Sequence, residues 1–218
     1  MNTPSTKLRM LGTAHAMDID DAIIQQKHVI IVGCGGTGCA VAQLLARLGM
    51  KLTIYDADLV SESNLERQVL FFTEDVGKHK VIAAHARLAS LCHMDIYCEE
   101  VTEKTVLPNA DLIIDCTDTM ESRRIIDMHS KQKGIPWIYT AAAGSFASTL
   151  LVLPKRNVKT FLEKEGEPCC VIGVVNTTVQ LAGSLAVTTA LNYFAGFSDE
   201  MLLRYSCKTG VLSRIRMQ

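Results

Sequence analysis

Ile30-Ile31-Val32-Gly33-Cys34-Gly35-Gly36-Thr37-Gly38 is the stretch of sequence that decides the fold. The apolar, β-branched run that ends at Val32 predicts a strand, and apolar residues recur at helical spacing over 37–48. Between the two lies a G-x-G-x-x-G pattern, which permits a tight turn and lets a phosphate approach the backbone at a helix N-terminus. The stretch therefore predicts a nucleotide site on a strand–turn–helix unit.

Further along the chain, apolar strand patterns alternate with helical patterns. Strands are predicted at 28–32, 51–55, 95–98, 112–116, 137–140 and 149–153, helices at 37–48, 75–92 and 122–133, and a terminal hairpin at 202–216 with its turn at 208–210. This alternation predicts an α/β fold, a Rossmann-like, doubly wound and mostly parallel sheet with helices on both faces and antiparallel C-terminal strands. We divide the chain into an N-terminal helical arm, 1–27, and a single domain, 28–218.

Composition narrows the class of protein. The 218 residues carry a net charge of −1, which favours neither nucleic acid nor an anionic membrane as a partner. The eight cysteines show no C-x-x-C spacing, and the polar start of the chain lacks the core of a signal peptide, so we expect a cytoplasmic protein with reduced thiols. The segment 169–198 has no charged residue, but its many polar residues favour a buried helix over a membrane span.

Acidic residues follow the second predicted strand. Asp56 comes about 20 residues after the glycine pattern, where a carboxylate accepts hydrogen bonds from ribose hydroxyls. Asp58 is a second candidate for that role. The alternative is that Asp56 only caps a turn.

A polar segment, Ser63-Asn64-Leu65-Glu66-Arg67-Gln68, comes next. On a short helical turn, Asn64, Arg67 and Gln68 share one side and can converge on phosphate oxygens, for which arginine is well suited. The alternative is a solvated turn, with Ser63 as the N-cap and Glu66 completing a capping box. Of the lysines that follow, Lys78 and Lys80, one could neutralise a phosphate.

The fourth strand runs into Asp115-Cys116-Thr117-Asp118. Ligand crevices in doubly wound sheets lie at the carboxyl ends of the strands, so Asp118 is a candidate for holding Mg²⁺ against phosphates. The alternative is that Asp118 caps the following helix. A cluster of arginine, lysine and carboxylate around a nucleotide indicates a triphosphate rather than a redox dinucleotide.

Taken together, these motifs resemble the E1-like adenylating family, which includes ubiquitin-activating enzymes and the bacterial enzymes that activate sulfur carriers for thiamin and molybdopterin synthesis. The resemblance covers about 9–196. The motifs that carry it are G-x-G-G-x-G at 33–38, D-x-D at 56–58, S-N-L-x-R-Q at 63–68, V-G-x-x-K at 76–80 and D-C-T-D at 115–118. Their order and spacing make the set specific, although each motif alone is weak.

The resemblance implies an ATP-dependent adenylyltransferase that activates a carboxylate as an acyl-adenylate. The resemblance implies that the ATP phosphates contact the glycine turn, at Gly33, Gly35, Gly36 and Gly38, and that Asp56 binds the ribose. The triphosphate would also contact Asn64, Arg67, Gln68 and Lys80. Asp118 would bind Mg²⁺. Arg9 lies where relatives place an arginine that reaches the partner's ATP site, which implies a homodimer with composite sites. Met10 follows it where relatives commonly have Gln.

The chain departs from sulfur-carrier activators in two ways. Those relatives bind structural zinc through two C-x-x-C pairs, whereas here Ile172 occupies the position of the second cysteine and only Cys207 remains of the later pair. Because tetrahedral zinc needs four ligands, we predict no zinc. The insert that carries the loop over a carrier's tail is also missing after Cys169-Cys170.

These departures favour a small-molecule carboxylate as the substrate. A short, zinc-free member of the family adenylates a guanylylpyridinol in the synthesis of the iron-guanylylpyridinol cofactor, and this chain is similar to it. The alternatives are the C-terminal carboxylate of a ubiquitin-like sulfur carrier or, in another class, a non-catalytic or NAD-binding Rossmann protein.

Overall fold

The computed structural model describes residues 16–17, 19–163 and 173–216. Its helices are α1 Asp21–Gln25, α2 Gly36–Arg47, α3 Lys80–Leu88, α4 Met120–Lys133, α5 Lys159–Leu162 and α6 Asn176–Phe194. Its strands are β1 His28–Val32, β2 Lys51–Tyr55, β3 Met94–Tyr97, β4 Leu112–Asp115, β5 Trp137–Ala143, β6 Phe146–Val152, β7 Leu202–Ser206 and β8 Leu212–Ile215. Short 3-10 turns occur at Glu62–Asn64 and Thr73–Asp75.

These strands form one sheet in the order β3-β2-β1-β4-β5-β6-β7-β8. The first five run parallel, and β6, β7 and β8 continue the sheet as antiparallel strands. Apolar side chains on the two faces pack against different helices: α2, α3 and α6 on one face, α4 and α5 on the other. The predicted fold class is confirmed, with a parallel half and an antiparallel C-terminal half.

The register of the parallel strands positions the predicted motifs. Val32 pairs with Tyr55 on one side and with Asp115 on the other. The glycine turn, the loop that starts at Asp56 and the loop that starts at Cys116 therefore leave the sheet at the same edge. This edge also lies beside the β1/β4 switch point, where doubly wound sheets open a crevice.

Several element boundaries differ from the predicted ones. The helix predicted over 75–92 is a 3-10 turn followed by α3, because Gly77 at φ +87° and a bridge between Leu59 and His79 interrupt it. The strand predicted over 137–140 extends to Ala143 and turns at Gly144, φ +56°, directly into β6. The short helix α5 follows β6 and was not predicted, and the predicted terminal hairpin is β7–β8.

The uncharged segment contains α6, which packs on α2 and on strands β5 and β6. Across the described ranges, no helix combines the length and apolarity needed to span a bilayer. The predicted helix is present and one of its faces is buried, whereas Asn176, Thr177, Ser184 and Thr188 are exposed. Residues 169–172 of the segment lie outside the described residues. Most of the predicted N-terminal arm also lies outside them.

Candidate active site

The glycine turn is shaped by close backbone packing. Gly33 has φ +95°, and a Cβ atom there would lie 2.7 Å from the Cys116 carbonyl oxygen. A Cβ on Gly38 would overlap the Gly33 carbonyl oxygen. Helix α2 starts at Gly36 behind an N-cap, Gly35, that has no side chain to satisfy the first amides. The free N–H groups and the helix dipole at this end favour an anion.

Asp56 ties the glycine turn to the end of β2. Its Oδ2 accepts a hydrogen bond from the Cys34 amide at 2.6 Å, and its Oδ1 accepts one from the Asp58 amide at 2.8 Å. Burial raises the pKa of Asp56, and the charge of Lys80 and these two amides partly oppose that shift. The carboxylate therefore caps a turn, as one alternative proposed, and also faces the cavity described below.

Lys80 is the first residue of α3, and its side chain is only 7% exposed. Its ammonium donates to Asp58 Oδ2 at 2.6 Å, whereas the Asp58 side chain is 71% exposed. A buried ammonium whose present partner is a solvated carboxylate can exchange that partner for a phosphate at modest cost, because water takes over the carboxylate.

The segment 61–68 forms a capped turn with different caps from those predicted. Ser61, not Ser63, is the N-cap, and the Asn64 side chain accepts from the Ser61 amide at 3.3 Å. Arg67 Nη1 donates to the Ser63 carbonyl at 2.8 Å and to Glu66 Oε1 at 3.0 Å. The capping box predicted with Ser63 and Glu66 is therefore wrong, although the turn itself exists.

Gln68 carries an unsatisfied buried group. Its side chain is 4% exposed, and its Oε1 atom has no hydrogen-bond partner within the described residues. Its Nε2 atom lies 3.9 Å from where a Cβ on Gly35 would be. A buried amide oxygen without a partner carries a desolvation cost, so this site is suited to a ligand that donates to it or brings water.

Asp118 lies at the tip of the loop between β4 and α4. It is exposed, and within the described residues it makes no hydrogen bond or ion pair. The N-cap of α4 is Thr119, whose hydroxyl accepts from the Ser122 amide at 3.1 Å. The alternative that Asp118 caps this helix is therefore wrong, and its carboxylate is available for a cation.

Sequence reasoning missed Arg123, which is 6% exposed. Its Nε donates to Asp115 Oδ2 at 3.0 Å, and its guanidinium carbon lies 4.7 Å from the Tyr139 ring centroid. Burial raises the pKa of Asp115, and Arg123 and Thr117 oppose that shift. A signal for Arg123 existed in the sequence: cations in the first turn of a helix oppose the dipole, so an arginine there needs another partner.

A cavity of about 1380 Å³ brings these groups together. The predicted site residues that line it are Gly33, Gly35, Gly36, Asp56, Asp58, Asn64, Arg67, Gln68, Lys80 and Asp118. Of the other predicted site residues, Gly38 packs against the backbone of the glycine turn and does not line the cavity. Arg9 lies outside the described residues. The cavity is also bounded by the loop 99–104, by α4 and by the end of β5, none of which was predicted from sequence to line the site. It combines helix N–H groups, cations and a free carboxylate, which suits a polyphosphate with a divalent cation.

The sequence model of the ThiF family matches residues 12–218. The sulfur carrier protein ThiS adenylyltransferase of Bacillus subtilis (strain 168) is 32% identical over 197 residues, covering 83% of this chain and 58% of that protein. The enzyme of the same name from Escherichia coli (strain K12) is 33% identical over 199 residues, covering 82% and 78%. This chain thus spans little more than half of the Bacillus relative.

Other similar proteins agree on the fold. The molybdopterin-synthase adenylyltransferase of Escherichia coli (strain K12) is 29% identical over 196 residues, covering 80% of this chain and 75% of that protein. The crystal structure of E. coli MccB with ATP has a TM-score of 0.78 at 19% identity, covering 90% of this chain and 65% of the other. At that identity the structural match concerns the fold alone.

Proposed function

The chain belongs to the ThiF family, and from that premise we propose that it is an ATP-dependent adenylyltransferase, which converts a carboxylate into an acyl-adenylate and releases pyrophosphate. One observation carries the proposal: Arg67, Lys80 and Asp118, from three separate elements, meet the glycine turn in one cavity. A dinucleotide site has no use for this combination, whereas a triphosphate with a divalent cation uses all of it.

The roles of the residues follow from their positions. The amides of the glycine turn and the start of α2 bind phosphate oxygens, and Asp56 receives the ribose hydroxyls, with Asp58 as the second candidate. Arg67 and Lys80 leave Glu66 and Asp58 for the triphosphate. Asn64 and Gln68 orient the same phosphates by hydrogen bonds.

Asp118 fits a magnesium ligand. Mg²⁺ in nucleotide sites takes one or two carboxylates, water and phosphate oxygens, and Asp118 is an exposed carboxylate on the cavity with no ion pair or hydrogen bond in the described chain. Bound Mg²⁺ would neutralise phosphate charge there.

The reaction needs little covalent chemistry from the protein. A carboxylate oxygen of the substrate attacks the α-phosphorus of ATP, the bond from that phosphorus to the bridging oxygen breaks, and pyrophosphate leaves with its electron pair. The positive charges of Arg67 and Lys80 stabilise the charge that develops on the phosphate oxygens. Positioning of the carboxylate in line with the leaving group supplies much of the remaining acceleration.

Two substrate classes remain open to experiment. The missing cysteines and insert favour a small-molecule carboxylate such as a guanylylpyridinol. The names of the curated relatives favour the C-terminal carboxylate of a ubiquitin-like sulfur carrier. Residues 164–172, on which the first argument depends, lie outside the described residues, and so the prediction that no zinc is bound also stays a prediction.

The composite-site homodimer belongs to the same proposal. Arg9 would reach the partner's triphosphate, which requires two copies of the chain around each ATP.

Exchange of labelled pyrophosphate into ATP tests the reaction. Wild-type protein should catalyse exchange only with its own carboxylate, so the assay is run with a guanylylpyridinol, with a Gly-Gly-ending carrier and without either. Failure of every carboxylate, together with tight NAD binding, would leave the NAD-binding alternative.

Variants test the site. We expect Arg67→Ala, Lys80→Ala and Asp118→Ala to abolish exchange while the proteins stay folded. Lys78→Ala is the matched control, because Lys78 is half-exposed, pairs with Asp75 at 3.1 Å and does not line the cavity. Wild-type rates in the first three variants would reject the assignment.

A further inference from the structure

A buried arginine connects the end of β4 with the neighbouring strand β5. Arg123 Nε donates to Asp115 Oδ2 at 3.0 Å at the end of β4, and Nη2 donates to the Thr117 carbonyl at 2.9 Å. The same Nη2 lies 3.5 Å from the carbonyl of Thr140 on β5. Arg123 stacks on Tyr139 as well, so its guanidinium has one defined orientation.

Thr117, the residue directly before Asp118, is held from three directions. Its amide and its hydroxyl both donate to Asp115 Oδ1, at 2.9 and 2.6 Å. Its carbonyl accepts from Arg123. The peptide groups on both sides of Thr117 are therefore fixed, and the second of them is the one that leads into Asp118.

The same loop packs against the glycine turn. The Cys116 carbonyl oxygen lies 2.7 Å from where a Cβ on Gly33 would be, so the start of the loop 116–118 is held against the glycine turn. Asp115 is fully buried, and its charge is compensated by an ion pair with Arg123. The same ion pair fixes the orientation of the guanidinium group.

From these contacts we infer that Arg123 is a positioning residue, which through Asp115 and Thr117 holds the carboxylate of Asp118 where it meets the metal–triphosphate. The inference rests on the proposed function. It assigns Arg123 no contact with substrate: its donors are directed at the protein, and its effect on the reaction passes through Asp118.

Arg123→Lys is the main test, because lysine keeps the positive charge beside Asp115 but cannot span Asp115 and Thr117 with a planar fork. We expect the maximal exchange rate to fall 10- to 100-fold, the size typical of losing a group that orients a metal ligand. The KM for ATP should change little, since Arg67, Lys80 and the glycine turn stay in place.

A double-mutant comparison separates positioning from stability. In an Asp118→Asn background, Arg123→Lys should not weaken Mn²⁺ binding to the protein–ATP complex any further, because both changes remove the same interaction. A full additional loss in that background would overturn the inference. Arg156→Lys is the control: Arg156 donates to the carbonyl and carboxylate of Glu200, at 2.6 and 2.8 Å, away from the cavity, and should leave exchange unchanged.

Asp115→Asn with Arg123→Met guards against misfolding, because it removes both buried charges together. This variant should fold, as judged by its thermal transition, and still show the reduced rate. A folded variant with the wild-type rate would refute the role of Arg123.

A measurement without turnover keeps the inference separate from the proposed function. Binding of Mn²⁺ to the complex of protein and ATP, followed by electron paramagnetic resonance, should weaken about tenfold in Arg123→Lys, while binding of metal-free ATP stays the same. Equal Mn²⁺ affinity in wild type and variant would refute the positioning role even if exchange is never observed. Absence of exchange in wild type with normal Mn²⁺–ATP binding would refute only the proposed reaction.

Discussion

At the scale of single residues, Gly38 is the most constrained position of the glycine turn. A Cβ there would overlap the Gly33 carbonyl oxygen, which is backbone and has no room to give. We expect Gly38→Ala to lower the free energy of unfolding by about 3 kcal/mol and to weaken ATP binding. Chemical denaturation and ATP titration measure the two effects.

Gly35→Ala is the control for that change. The nearest atom to a Cβ on Gly35 is the end of the Gln68 side chain at 3.9 Å, which is ordinary contact. Its stability should stay within about 0.5 kcal/mol of wild type. Equal denaturation midpoints for the two alanine variants would contradict the packing argument.

Single-residue chemistry was partly predictable from the sequence. The glycine pattern and Asp56 have spacings dictated by one strand–turn–helix unit, so local rules place them. Arg123 was missed because its partners, Asp115 and Thr140, come from two strands that meet only in the sheet. The caps at Ser61 and Thr119 were missed because several neighbouring polar residues satisfy the same local rule.

At the scale of elements, Asp75 anchors the turn before α3. Its side chain is 2% exposed and accepts from the Phe72 amide at 3.1 Å, from Lys78 and from Arg87 at 2.5 Å. Burial opposes its ionisation, but these three donors outweigh burial and lower the pKa of Asp75 from its usual value. Its stabilisation is therefore present above about pH 4 and is lost as the pH falls through the lowered pKa.

We expect Asp75→Asn to cost about 2 kcal/mol at neutral pH and to flatten the loss of stability below pH 4. The measurement is urea denaturation as a function of pH. Glu74→Gln is the matched control, because Glu74 also contacts Arg87 but is 71% exposed. A similar acid slope in wild type and Asp75→Asn would show that Asp75 is not the source of that slope.

Helices α2 and α6 approach closely at Gly183. A Cβ on Gly183 would lie 2.6 Å from the Cβ of Ala40 and 3.2 Å from the Thr37 carbonyl oxygen. We expect Gly183→Ala to destabilise the protein by about 2 kcal/mol, measured by thermal or chemical denaturation. Because α2 begins at the glycine turn, ATP affinity should fall with it.

A compensating change tests the pairing of these helices. Ala40→Gly placed in the Gly183→Ala background moves the methyl group from one helix to the other, and it should recover most of the lost stability. Ser184→Ala is the control, since Ser184 is exposed and its hydroxyl bonds only within α6. No recovery in the double variant would mean that the destabilisation arises elsewhere.

Elements were predictable where their pattern was long and local. The strands β1, β2 and β4 are buried apolar runs and were placed within a residue of their ends. The hairpin of β5 and β6 was predicted only in part. The strand ends next to its turn at Gly144 consist of small residues, which show no alternation of apolar and polar side chains. The interruption before α3 depends on a bridge between Leu59 and His79, 20 residues apart, which no local rule reveals.

At the scale of the whole molecule, the parallel and the antiparallel halves of the sheet contribute different parts of the cavity. The parallel half ends at a common edge and supplies the glycine turn, Asp56 and Asp118. The antiparallel half begins at the hairpin of β5 and β6, and the cavity reaches it through Ala141, Ala142 and Val174. If ATP occupies the first side as proposed, we expect the carboxylate substrate to bind on this second side.

The composite-site homodimer predicts complementation between two inactive proteins. If each site takes Asp118 from one subunit and Arg9 from the other, Arg9→Ala and Asp118→Ala are each inactive alone. A mixed dimer has one site with both changes and one site with neither. After unfolding and refolding an equal mixture, half of the dimers are mixed, so exchange should return to about a quarter of the wild-type rate.

The control for complementation is a mixture of Lys80→Ala with Asp118→Ala, since both residues belong to the same subunit's cavity. Every subunit of that mixture carries a defect in its own site, so no exchange should return. Recovery in both mixtures would indicate that refolded chains swap whole segments of the cavity, so it would not support a shared site at Arg9. Recovery in neither mixture would place Arg9 outside the partner's site. Only recovery confined to the first mixture is compatible with an arginine that crosses a two-fold axis, because only then does a single intact site require both chains.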